Sequence, residues 1–154
     1  MKNLISSFII SFVILTACNQ KHIYNQYHSV DNNAWKSTDT VQFPFVIEDE
    51  NSNYEYAISV RHSNDFEFSN LWLKVLVIGN GIDTSFRYEI PLFKNDGKPF
   101  GKNSGSICTQ TVPLKTNLPL YKKGKYQISI IQLMRKDPLN GISDIGILID
   151  KKQK

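Results

Sequence analysis

"LWLKVLVIG", Leu71–Gly79, decides the fold class. Leu71, Leu73, Val75 and Val77 fall on one side of an extended chain, and Trp72, Leu76 and Ile78 fall on the other. Strand side chains alternate with period two, so a run that is apolar on both sides and ends at a glycine predicts a central strand with Trp72 in the core. One-sided versions lie around it: "VQFPFVI" (41–47), "YEYAISV" (54–60), "FRYEIPLF" (86–93), "KYQISIIQLM" (125–134) and "SDIGILID" (143–150). "CTQTVPLK" (108–115) is a weaker case. Between the runs stand turn formers, Asn51-Ser52-Asn53, Ser63-Asn64-Asp65, Gly79-Asn80-Gly81, Asn95-Asp96-Gly97, Lys123-Gly124 and Asp137 to Gly141. Each supplies a residue tolerant of positive φ or a proline that fixes φ.

Short alternating runs at such spacing, with no amphipathic helix, predict an all-β chain. The expected architecture is an antiparallel β-sandwich, jelly-roll or Ig-like, of about seven or eight strands. Pro44, Pro91 and Pro113 lack a ladder N–H, tolerable mainly at edges or bulges, which marks their strands as edge candidates.

The first residues obey a different logic. Lys2 is followed by Leu4 to Leu15, apolar apart from three serines, and then by Leu15-Thr16-Ala17-Cys18. One positive residue and a dozen apolar ones lay out a secretory signal, short of the roughly 20 residues of a membrane-spanning helix. The aliphatic-small-small-cysteine ending is recognised as a bacterial lipobox, which predicts removal of 1–17 and a mature chain that begins at Cys18, acylated on its sulfur and its amine. Two or more acyl chains anchor stably, at about 0.8 kcal/mol per buried CH₂. The expected organisation is signal 1–17, a lipidated tether 18–40 partly packed on the domain, a sandwich 41–150 and a basic tail 151–154.

Composition excludes several function classes. The net charge of +4 is spread out, with lysines at 122, 123 and 125 and at 151, 152 and 154 read as solvated ends. Their alternative role is weak attraction to anionic headgroups, and nucleic acid is a poor partner for an exported lipoprotein. With Cys18 taken by lipid, Cys108 stands alone in a strand and reads as a small buried apolar residue. The three histidines show no zinc spacing, and neither a nucleophile elbow nor a phosphate loop is present. No cofactor, metal or small-molecule ligand is expected. Arg135, Asp137, Asn140 and Asp144 form the densest polar group, a candidate interaction loop whose Arg135 would pair with Asp137 or Asp144. A sugar-binding alternative would stack on Trp35, Trp72 or Tyr88, and a hydrolase would need two convergent carboxylates or a Cys108–His pair.

Several stretches together carry a resemblance. "KGKYQISIIQLMRKDPLNGISDIGILI" (123–149), "RHSNDFEFSNLWL" (61–73), the "DGKPFGKNSG" loop (96–105), "YNQYHSV…W" (24–35) and the lipobox resemble the gliding motility-associated GldH lipoproteins. The resemblance implies a non-enzymatic envelope lipoprotein, serving gliding and type IX secretion through other envelope proteins, and carries over Cys18 alone as a site. Outer-membrane placement is expected, and the lack of an acidic run in Asn19-Gln20-Lys21-His22 favours the periplasmic side.

Overall fold

Leu71, Leu73, Val75 and Val77 are fully buried, as the alternation requires. The computed structural model describes residues 22–115 and 120–152. Its strands are β1 (His22–Ser29), β2 (Ala34–Trp35), β3 (Val41–Ile47), β4 (Tyr54–Ser63), β5 (Asn70–Gly79) and β6 (Ile82–Pro91), then β7 (Lys102–Ser104), β8 (Ile107–Pro113), β9 (Gly124–Gln132), β10 (Leu139–Asn140) and β11 (Ile142–Lys151). A 3₁₀ turn at Asp31–Asn33 precedes β2.

One sheet runs β1-β11-β4-β8-β7, the second β3-β9-β5-β6, and β10 pairs with β2 in a small ribbon. Setting aside the short β2, β7 and β10, the eight long strands switch sheets at every step except the β5–β6 hairpin, the order of a jelly roll. The expected sandwich is therefore present, with eleven strands rather than seven or eight. The three extra strands are only two or three residues long, too short to show a period.

The inner faces meet in one core. Phe43, Phe45 and Ile47 from β3 and Tyr126, Ile128 and Ile130 from β9 pack towards Ile58 and Val60 of β4 and Ile145, Ile147 and Ile149 of β11. Phe45 stacks on Tyr126 with ring centroids 5.5 Å apart. Pro44 lies on edge strand β3 and Pro91 ends edge strand β6, but β8 is not an edge: it lies between β4 and β7, and Pro113 is tolerated there as its last residue, beyond the pairing with β7. Asn80 and Gly81 join β5 to β6 with φ of 50° and 80°, the positive pair that a two-residue hairpin needs.

Three expectations change. Residues 22–29 do more than lie against the domain: β1 pairs with β11 from His22↔Asp150 to Ser29↔Asp144 and is an edge strand of the larger sheet. The basic end begins inside a strand, because Lys151 pairs with Tyr54 in β11–β4. Trp72 is 38% exposed. β5 is internal in its sheet, but among the described residues no element covers the outer face of that sheet, to which its even positions point.

Candidate functional site

The polar group around 135–144 is distributed along the start of the last two strands rather than gathered in one site. Asp137 accepts the Ser37 main-chain N–H at 2.9 Å and the Ser37 hydroxyl at 2.5 Å. These bonds, with the Lys36 charge nearby, hold its carboxyl below the usual range. Asn140 sits in the ribbon opposite Ala34. Asp144 accepts from the Ser29 hydroxyl at 2.9 Å and lies 3.9 Å from the Arg61 guanidinium.

Arg135 pairs with neither acid among the described residues, contrary to expectation. It lines a small hollow with Phe68, Trp72, Arg87, Leu133 and Met134. The strands explain this: pleating turns Asp144 to the outer face beside Arg61, and Asp137 is claimed by the 36–39 segment. Asp137 and Asp144 thus have separate partners, and Asn140 is held through the backbone of the ribbon. Asp137 ties the chain between β2 and β3 to the segment after β9, and Asp144 ties β11 to the end of β1.

Cys108 and His62 face each other across β8 and β4, a pairing invisible to local sequence pattern. Both are fully buried, and Phe93 packs on the imidazole edge at 5.1 Å. Burial raises the thiol pKa and lowers that of the imidazole. Each group is pushed to its neutral form, the opposite of the thiolate–imidazolium pair that a cysteine nucleophile uses. The sugar-stacking candidates also separate. Trp35 is buried with Nε1 donating to the Asp39 carbonyl at 2.8 Å, half-buried Tyr88 donates to the Pro113 carbonyl, and Trp72 stands outside.

Two surfaces remain open. On the outer face of the four-stranded sheet, Trp72, Leu76 and Ile78 of β5 lie beside Ile131 of β9 and the exposed Leu133, giving an apolar strip with Lys74 within it. The other surface is the end of the sandwich where β1 begins. It collects the 48–53 turn, the β5–β6 hairpin, the segment 120–123 and the end of β11, and it contains a hollow of about 860 Å³ lined by Tyr54, Tyr56, Pro113, Leu114 and Tyr121. Cys18 itself lies outside the described residues.

The family model for the GldH lipoprotein matches residues 22–149, from the first residue of β1 to within two of the end of β11. The chain belongs to the GldH lipoprotein family. The gliding motility lipoprotein GldH homolog of Christiangramia forsetii is 30% identical over 152 residues, covering 94% of this chain and 93% of that protein. The gliding motility lipoprotein GldH of Flavobacterium johnsoniae is 26% identical over 152 residues, with 94% of each covered. A solved structure of the infectious bursal disease virus VP2 subviral particle is 11% identical with a TM-score of 0.17, covering 84% of this chain and 39% of that one, too slight a likeness to argue from. The GldH family is one of lipoproteins, and the membership makes this chain a cell-envelope lipoprotein; the two relatives are named for gliding motility.

Proposed function

We propose that this GldH lipoprotein is a non-enzymatic accessory component of the gliding and type IX secretion machinery. Acyl chains on Cys18 hold it at the periplasmic face of the outer membrane, and the jelly roll docks on other envelope proteins of that apparatus. The observation that carries the reading is the family match over the whole sandwich, β1 included. The separate engagement of Asp137 and Asp144, and the buried neutral pair Cys108–His62, support a binding role over a hydrolytic one.

Deletion of the gene in a gliding host tests this, with complementation by wild type and by Cys18→Ser. Spreading and secretion of exported proteins should be lost on deletion and restored by the wild type alone. A deletion strain that glides and secretes like its parent would remove the proposal.

A further inference from the structure

We infer that the end of the sandwich where β1 begins rests on an anionic lipid surface, with Tyr121, Lys122 and Lys123 among the headgroups. The inference rests on acylation of Cys18 and adds the orientation of the domain.

Covalent geometry supplies the first step. Cys18 and His22 are four residues apart, and a chain spans at most ~3.6 Å per residue, so the lipid holds the start of β1 within about 14 Å of its own attachment point. β11, which pairs with β1, has ten residues, and strands rise about 3.4 Å per residue. The opposite end of the body, with the 94–97 turn and the β10–β2 ribbon, therefore lies roughly 30 Å further along. So short a tether forbids an end-over-end placement in which that far end meets the bilayer and the β1 start does not.

The side chains at the near end break the remaining freedom. Two of its acids have lysine partners, Asp49 of the 48–53 turn with Lys151 at 2.9 Å and Glu55 of β4 with Lys152 at 3.6 Å, and His22 Nδ1 lies 2.5 Å from Asp150. Lys115, Lys122, Lys123 and Lys125 have no ion-pair partner among the described residues, and the same end carries the exposed acids Glu48, Glu50 and Asp83, which leaves the lysines in excess. Tyr121, 50% exposed, precedes the lysines directly. Ile23, Val46 and Ile78 are exposed large apolar groups close to the same strand ends. A tyrosine with an apolar body and polar tip, beside unpaired lysines, suits the headgroup layer. The two lysine clusters are separate in sequence, and the fold brings both to the end from which the anchor leaves.

Full-length acylated protein in vesicles of phosphatidylcholine and phosphatidylglycerol carrying headgroup nitroxides provides the test. A fluorophore is placed on Lys123→Cys or, at the far end, on Asp96→Cys; the native Cys108 is buried. Quenching should be several-fold stronger at position 123, and the charge reversals Lys122→Glu and Lys125→Glu should weaken it. Equal quenching at the two positions, or stronger quenching at 96, overturns the orientation. Quenching at 123 indifferent to the reversals and to phosphatidylglycerol content overturns the headgroup contact. Intact mass on the same sample reports acylation, so failure of the anchor is told apart from failure of the orientation.

Discussion

Tyr27 of β1 covers Gly146 of β11: a Cβ at position 146 would lie 2.6 Å from the tyrosine ring. The two residues are cross-strand partners, and the missing side chain lets the ring lie across the outer face of the sheet. The Tyr27 hydroxyl donates to Ser59 Oγ at 2.9 Å, Ser59 Oγ lies 2.9 Å from Thr111 Oγ1, and the Arg61 guanidinium sits 4.1 Å from the ring centroid. One aromatic ring thereby ties β1 through β11 to β4, and the hydroxyl ladder continues to β8.

Gly146→Ala should accordingly loosen β1. Forcing a methyl into this contact costs about 1–3 kcal/mol, because the ring must leave or the strands must separate. Tyr27→Phe keeps the ring on the glycine and loses only the Ser59 bond, about 0.5–1.5 kcal/mol. Urea unfolding checks the order. Hydrogen exchange should localise the Gly146→Ala effect to residues 22–29, and equal stability of the two variants would contradict it.

The two tryptophans make a second contrast. Trp35 is buried and its Nε1 is hydrogen-bonded to Asp39, so Trp35→Ala should cost about 3–5 kcal/mol. Trp72 lies on the outer face, partly packed beside Leu133 and Met134, and Trp72→Ser should cost about 1 kcal/mol, well below Trp35→Ala. Thermal unfolding measures both. Emission from Trp35, recorded in the Trp72→Ser protein, should be blue-shifted relative to emission from Trp72.

Asp49 gives the low-pH limb a specific origin. Hydrogen bonds from Ser52, Lys151 and the Asn51 N–H bring its carboxyl down to about 2. A carboxylate depressed by folding contributes stability that is present above its unfolded value of 3.8 and is lost as pH falls towards 2. Asp49→Asn should therefore reduce the loss of stability between those values while leaving the pH dependence above 5 unchanged. Thermal melts across that range test it. The group is solvent-exposed, so the difference should shrink in high salt.

The long buried-face strands were legible because each presents an unbroken alternation, as in Phe43-Phe45-Ile47 or Ile145-Ile147-Ile149. β1 was not. Its inward residues Tyr24, Gln26 and His28 include only one strongly apolar group, since an edge strand covers less of the core. Trp72 was misplaced because alternation tells which residues share a face and not whether that face is covered. The loop acids were found as a cluster, but their partners Ser29, Ser37 and Arg61 are about a hundred residues away and could not be paired locally.

Core residue His62 supplies the neutral-pH effect. It is fully buried, its Nδ1 lies 2.9 Å from the Ser63 carbonyl, and its Nε2 has no hydrogen-bond partner among the described residues. The first contact places the proton on Nδ1, which leaves Nε2 a bare acceptor among Phe66, Phe93 and Cys108. Burial lowers its pKa below 6.5, only partly opposed by the Ser63 carbonyl. The unfolded chain then binds the proton more readily, so the stability from the neutral ring is complete above 6.5 and declines as pH falls through 6.5 towards the folded value. His62→Phe removes that titration and keeps a ring against Phe93. Between pH 7.5 and 5.5 the melting temperature of the wild type should fall, and that of His62→Phe should fall less. Parallel slopes in the two proteins would show that His62 is not the group being protonated.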